Sequence, residues 1–314
     1  MKPSESSINY LKAQAAFYEN IRAFFKAKKV LEVQTPLLYP TPVTDPYIQA
    51  FEVPYQNKKL YLQTSPEYAM KRLLAAGSGP IYQICKAFRD EDFGRFHNPE
   101  FTLLEWYRPG FSEEDLIQEV DELLQTLIQT MPLETLSYRA CFEQKLGINP
   151  HQTSLNNLIS LCEKHELIIL SSTELSRDDY LTLLFSHCIE RSLGRDRPVI
   201  INNFPVTQAA LAKHKLIDGD WVAGRFELYY QGIELANAYD EQTSAQILKD
   251  QFEQDLKIRQ TLNLKQVPID QDLLDITNDL PTGCGIALGL DRLIFLGLKL
   301  KHLQDLLPFH FSNL

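Results

Sequence analysis

Phe88-Arg89-Asp90-Glu91, followed after a short polar stretch by His97-Asn98-Pro99-Glu100-Phe101 and then Thr102-Leu103-Leu104-Glu105-Trp106-Tyr107, is the segment whose reading decides the fold. The runs over 81–89 and 101–108 read as strands, and the polar loop over 90–100 joins them as an antiparallel pair. Side chains alternate along a strand, so Phe101, Leu103, Glu105 and Tyr107 share one face, and Arg89 and Glu91 share one if the strand continues that far. The hairpin thus gathers a guanidinium, several carboxylates, an aromatic plate and a phenol. A guanidinium can clamp a phosphate bidentately, and an aromatic ring can stack a purine. Taken alone, the same pattern equally describes a charged hairpin loop over an ordinary aromatic core.

Two more stretches carry chemistry. In Gly283-Cys284-Gly285-Ile286-Ala287-Leu288-Gly289-Leu290-Asp291-Arg292, small residues at alternate positions leave one strand face almost bare. Glycine inside a strand marks close approach of a ligand or of another backbone, so tight helix-on-strand packing is the competing reading. Arg292 opens a helix beside that face. In Gly232-Ile233-Glu234-Leu235-Ala236-Asn237-Ala238-Tyr239-Asp240-Glu241, two acids frame an apolar strand end. Such a pair could hold Mg2+ on triphosphate oxygens, although acids at strand ends are common.

Working outward, Leu11, Ala15, Phe17, Ile21, Phe24 and Phe25 line one face of an amphipathic helix over 10–28. Extended segments follow over 30–33 and 60–63. Ser65-Pro66-Glu67 then starts a helix, with Ser65 as N-cap and Pro66 at the first helical position, and Gly77 stops it. The 112–191 region reads as mostly helical. Strand character returns over 199–204 and over 226–238, with a turn at Gln231-Gly232, before a polar helix over 244–262. Hairpin-linked strands with segregated helices define an α+β fold with a mostly antiparallel sheet flanked by helices.

Composition excludes several classes. No stretch of about eighteen uncharged apolar residues could span a bilayer, and the polar N-terminus has no signal-peptide pattern, so the cytoplasm is the expected compartment. Five cysteines, odd in number and never spaced as CxxC, argue against a disulfide framework or a Cys-ligated zinc. The net charge is −10, with only short basic pairs, which speaks against a nucleic-acid backbone as the main partner.

In this order the three constellations resemble the signature motifs of class II aminoacyl-tRNA synthetases. The segment from Phe88 to Phe101 is similar to motif 2, Gly285 to Arg292 to motif 3, and the first helix with Val33 to Pro36 to the dimer-forming motif 1. Thr64-Ser65-Pro66-Glu67, His97-Asn98-Pro99-Glu100-Phe101 and Leu104-Glu105-Trp106-Tyr107 narrow the resemblance to the lysyl type. Two departures are informative. Only about nine residues precede the first helix, which leaves no room for an N-terminal OB-fold that reads an anticodon, and Ala287 stands where lysyl-tRNA synthetases have glycine. Both resemble the truncated paralogues that attach (R)-β-lysine to elongation factor P. Gly94-Arg95-Phe96-His97-Asn98, Asn203-Phe204-Pro205 and Val267-Pro268-Ile269-Asp270-Gln271 point the same way.

The resemblance implies a single catalytic domain over 1–314 and a homodimer. It implies ATP and Mg2+, an aminoacyl-adenylate of (R)-β-lysine or lysine, and transfer to the ε-amine of a lysine on elongation factor P. Arg89 and Arg292 would neutralise phosphate charge during attack. Asp90, Glu91, Asn98, Phe101, Glu234, Leu235 and Gly289 would join them around ATP, with Phe101 stacking adenine and Glu234 and Glu241 holding Mg2+. Ser65, Pro66 and Glu67 would seat the amino end of the substrate, Glu105 and Tyr107 would meet its distal ammonium, and Glu241 and Ala287 would complete its pocket. Two rivals are a bare-core enzyme that charges tRNA and a non-catalytic paralogue. The second predicts loss of Arg89, Glu234 or Arg292, and all three are present.

Overall fold

The 81–108 segment forms the antiparallel hairpin that alternation requires, in a computed structural model that describes residues 5–90, 94–167, 175–307 and 309. The chain divides into two compact units, Met1–Gln129 with Gln242–Leu314, and Thr130–Glu241, where the sequence suggested one domain.

The first unit begins with α1 (Glu5–Ala27), β1 (Leu31–Glu32), β2 (Leu38–Tyr39), β3 (Glu52–Tyr55), β4 (Lys58–Leu62) and α2 (Glu67–Ala75). Then come β5 (Ile81–Phe88), β6 (Glu100–Pro109) and α3 (Glu113–Ile128). The second unit holds β7 (Glu134–Ser137), α4 (Tyr138–Leu146), α5 (Leu155–Lys164), α6 (Arg177–Leu184), β8 (Val199–Asn202), β9 (His214–Ile217), β10 (Asp220–Ala223), β11 (Arg225–Tyr230) and β12 (Ile233–Asp240). The chain returns to the first unit with α7 (Ala245–Thr261), α8 (Gln271–Ile276), β13 (Gly283–Gly289) and α9 (Leu290–Gly297).

In the first unit the strands run β1-β5-β6-β13, antiparallel except for β1 on β5. The even-numbered face of β6 packs beneath α1 and α3. Phe25 stacks on Tyr82 with centroids 4.4 Å apart and meets Trp106 edge-on at 5.4 Å. The Trp106 indole donates to Glu119 at 3.0 Å, and Arg108 pairs with the same carboxylate at 3.3 Å. Burial raises the pKa of Glu119, and those two partners with Lys28 oppose the rise. The odd-numbered face carries the candidate site. There Met70 and Leu74 of α2 pack with Ile81, Tyr107 and Leu280. A helix pinned behind the strands and another over the margin of the front face fix the hairpin in place.

The second unit runs β12-β11-β8-β7, with β7 parallel to β8 and the other pairs antiparallel. Tyr138, Phe142, Phe185, Phe204 and Tyr229 form its core. The turn at Gln231-Gly232 has φ of 54° and 74°, the left-handed pair that a two-residue hairpin needs.

Three departures from the sequence reading have local causes. The 112–191 region contains β7, too short to show a period. The β9–β10 hairpin turns at Asp218-Gly219, a type of signal that is clear only beside its partner strand. And α2 starts one residue later than its N-cap pattern suggested: the carbonyl of Pro66 accepts the Met70 N–H at 2.9 Å, so Pro66 is the cap. Ser65 instead accepts the Glu67 N–H through its hydroxyl, at 3.4 Å. At Gly283, φ is 154° and a Cβ would lie 2.4 Å from the Arg108 carbonyl oxygen, so there the approaching group is protein backbone.

Candidate active site

Register turns the bare face of β13 into one wall of a site. Ala287 lies directly opposite Glu105, Gly285 opposite Tyr107 and Gly289 opposite Leu103. On the other side β5 sets Gln83 opposite Glu105 and Ala87 opposite Phe101. Three strands therefore present Phe101, Leu103, Glu105 and Tyr107 between a row of small residues and a row from β5. Glu105 is 1% exposed, and the Tyr107 hydroxyl donates to its Oε1 at 2.7 Å. A carboxylate held this far from water is stable only beside donors or a cation, which is what an ammonium-binding site offers.

The nucleotide candidates sit at the far end of the same hairpin. Arg89 follows β5 directly, its backbone N–H reaching the Pro99 carbonyl at 3.0 Å, and its guanidinium lies 5.2 Å from the Phe101 ring centroid. That distance is a cation–π contact, so guanidinium and ring border one space. Arg89 Nε is buried without a hydrogen-bond partner among the described residues, and so is Asn98 Oδ1. An orphaned donor and an orphaned acceptor suit a ligand that brings both, as a purine nucleotide does. Asp90 is exposed, with its N–H on the Gln49 carbonyl at 2.9 Å. Glu91 lies outside the described residues.

Gly289 caps α9, and Arg292 is the third residue of that helix. Its Nε donates to the Phe96 carbonyl at 3.2 Å, and its Nη2 meets His97 Nε2 at 3.0 Å. The motif 2 loop thus holds the motif 3 arginine, a contact that sequence reading did not foresee. Beside it, buried Asp291 accepts the Thr102 N–H at 2.7 Å and locks α9 to β6. On α2, Glu67 forms an ion pair with the buried ammonium of Lys71 at 2.6 Å. Ser65 and Pro66 flank it at the start of the helix.

In the second unit, plain alternation would send Glu234 and Glu241 to opposite faces. A bulge prevents this. Leu228 pairs with Ala236, but Tyr229 pairs with Glu234, so Leu235 is the extra residue. Leu235 and Ala236 are both buried, and Glu234 joins Asn237 and Tyr239 on one face, the side on which continued alternation also puts Glu241. Bulges re-aim side chains in this way, and residue spacing alone cannot reveal one. The face also carries Arg225, Glu227 and Tyr229 of β11. Arg225 donates to Asn237 Oδ1 at 3.0 Å and pairs with Glu227, and Asn237 donates to the Tyr239 hydroxyl at 2.7 Å. The Tyr229 hydroxyl donates to Glu227. None of these five was singled out from sequence, because the β11–β12 register is what joins Arg225 to Asn237 and so links the two strands' polar side chains.

Two carboxylates on one face fit Mg2+, which takes one or two protein oxygens and keeps substrate phosphates and waters for the rest. Among the described residues no cluster of three or more His, Cys, Asp or Glu side chains could cage a metal alone.

This arrangement, a hairpin carrying arginine, ring and carboxylate against a glycine-spaced strand that feeds an arginine-bearing helix, is a class II synthetase core. Residues 3–312 match the family model of tRNA synthetases class II (D, K and N), and the chain belongs to that family. Within it, the chain is 45% identical over 312 residues to a protein of Pseudoalteromonas translucida named elongation factor P–(R)-beta-lysine ligase, covering 97% of this chain and 96% of that one. A Salmonella paratyphi B protein of the same name is 45% identical over 315 residues, covering 98% and 96%.

Glu227 yields a pH prediction. Burial raises its pKa to about 7 and Glu234 adds to the rise, against the opposing pull of Arg225. The folded chain therefore keeps a proton that an unfolded glutamate releases near 4.5, and this group lowers stability progressively as pH climbs from about 4.5 to about 7. Replacing Glu227 by Gln removes that contribution. Thermal unfolding of both proteins between pH ~5 and ~7.5 should show the wild type losing more stability than Glu227→Gln as pH rises. Parallel pH profiles would contradict the assignment.

Proposed function

We propose that this chain is an ATP-dependent ligase that activates (R)-β-lysine, or lysine, as an aminoacyl-adenylate and passes it to the ε-amine of one lysine on elongation factor P. The observation that carries the reading is the buried Glu105–Tyr107 pair opposite Ala287 and Gly285, on the same hairpin as the orphaned Arg89 and Asn98 atoms. It supplies acceptors for a substrate cation beside groups suited to a nucleotide. The names of relatives matched over nearly their full length support the same reaction.

In the first step a carboxylate oxygen of the amino acid attacks the α-phosphorus of ATP, and pyrophosphate leaves. Arg89 and Arg292 stabilise the charge that builds on the phosphoryl oxygens. Phe101 stacks the adenine, Asp90, Asn98 and Gly289 border the nucleotide, and the family resemblance assigns Glu91 and Leu235 to it as well. Mg2+, held by Glu234 and Glu241, would supply positive charge to the triphosphate. Ser65, Pro66 and Glu67 receive the amino end of the substrate, with Lys71 holding the Glu67 carboxylate in place. Glu105 and Tyr107 take the distal ammonium, and the family resemblance assigns Glu241 to the same substrate. Positioning and preorganised charge suffice for such a displacement, so no general base is needed. In the second step the neutral acceptor amine attacks the acyl carbon, AMP leaves, and the amine loses a proton.

A homodimer fits the exposed apolar side chains of Ile8 and Leu11 on α1 and Leu31 on β1. No helix among the described residues is long and apolar enough to cross a membrane; a cytoplasmic location is part of the proposal.

ATP–pyrophosphate exchange with α-lysine and (R)-β-lysine in parallel tests the reading. Arg292→Ala should lower exchange by at least ~10²-fold, since it removes a charge aimed at the transition state. Near-normal exchange would remove Arg292 from the reaction. Ala287→Gly frees one methyl of space opposite Glu105 and should shift the isomer ratio toward α-lysine, by no more than roughly 10- to 200-fold. An unchanged ratio would take Ala287 out of the pocket wall.

A further inference from the structure

One polar side chain on the site face has no place in the reaction just described. Gln83 lies in the middle of β5 and is 2% exposed. The register pairs it directly with Glu105, which faces Ala287 on its other side. Gln83, Glu105 and Ala287 form one row across three strands, on the face that also carries Tyr107. Directly opposed residues bring their Cβ atoms to about 4.5–5.5 Å, so carboxamide and carboxylate reach the same small volume.

Gln83 Oε1 is buried and has no hydrogen-bond partner among the described residues. Its carboxamide interacts with the Cys85 thiol, a weak donor whose pKa burial pushes up to about 12. A central strand position of this kind is ordinarily apolar or fully satisfied, and an orphaned acceptor beside a buried carboxylate needs a donor from elsewhere. An alkylammonium brings three N–H donors and no acceptor. Glu105 offers it charge. The Tyr107 hydroxyl, which donates to Glu105, is by its chemistry an acceptor as well. One acceptor is still wanted, and Gln83 Oε1 is beside them.

We propose that Gln83 is a specificity-determining residue, the third acceptor for the distal ammonium of the amino-acid substrate, completing a Glu105–Tyr107–Gln83 cradle. The inference rests on the reading of Glu105 and Tyr107 as the ammonium end of the site. A neutral carboxamide suits the position: one carboxylate balances one ammonium, and a second buried carboxylate would leave a net negative charge. The three-acceptor cradle also fits a primary ammonium and penalises a chain that ends in a methyl group.

The test is pyrophosphate exchange by the wild type, Gln83→Leu and Gln83→Met, each offered (R)-β-lysine and 3-aminohexanoate, which lacks the distal ammonium. Wild type should prefer β-lysine strongly. Both variants should raise the KM for β-lysine roughly 10- to 100-fold, as loss of a hydrogen bond to a charged group requires, with the KM for ATP unchanged. Exchange with 3-aminohexanoate should hold or improve, so the discrimination collapses. The methionine variant keeps an unbranched chain in the strand should leucine disturb folding. Variants that keep both the KM and the discrimination of the wild type overturn the proposal, as does an equal loss toward both amino acids and ATP, which marks a structural role. Failure of the wild type to activate any lysine isomer would overturn the underlying functional reading instead.

Discussion

The site depends on a buried carboxylate. Glu105 lies in the central part of a strand with neighbours on both sides, almost wholly removed from water, and accepts a hydrogen bond from Tyr107. Ionised carboxylates are placed there only when something positive or proton-donating comes to meet them. The surrounding features serve that constraint. Small residues on β13 leave room above it, α2 packs Met70 and Leu74 against Tyr107, and the Trp106–Glu119–Arg108 cluster anchors the opposite face of the same strand. Moving β6 by one residue would exchange Glu105 for Trp106 and Tyr107 for Arg108, and the site would vanish into the core.

Much of this was legible in the sequence. Period-two alternation alone put Phe101, Leu103, Glu105 and Tyr107 on one face, and the glycine spacing of β13 announced a bare wall. The antiparallel α+β architecture followed from hairpin-length connections. What alternation could not provide was the identity of the residue opposite. That Ala287 and Gln83 flank Glu105 is a matter of inter-strand register, set by the whole sheet. Phe96 and His97 against Arg292 were hidden for the same reason, since they join groups of separate elements, whereas Glu67 and Lys71 lie one turn apart on α2, a pairing that helical spacing does allow.

The bulge at Leu235 is the sharpest case. A strict strand would have separated Glu234 from Glu241, and only the β11–β12 register shows the extra residue that reunites Glu234 with Asn237 and Tyr239. The same register assembles Arg225, Glu227 and Asn237 into a buried polar network that stiffens this face. Such networks are stabilising only when nearly every member is satisfied.

The choice of acceptor follows from charge and chemistry together. A chain with net charge −10 has little general attraction for a polyanion, whereas a single lysine on an exposed loop of a protein can bring its amine to the adenylate. That amine must be neutral to attack, against an ordinary pKa near 10.4, so nearby carboxylates both attract the ammonium and hinder its loss of a proton. The most direct measurement is transfer of labelled (R)-β-lysine in the presence of ATP, with purified elongation factor P and bulk tRNA offered separately. The account predicts label on the factor, abolished when its acceptor lysine is replaced by alanine. Strong label on tRNA with none on the factor would contradict it.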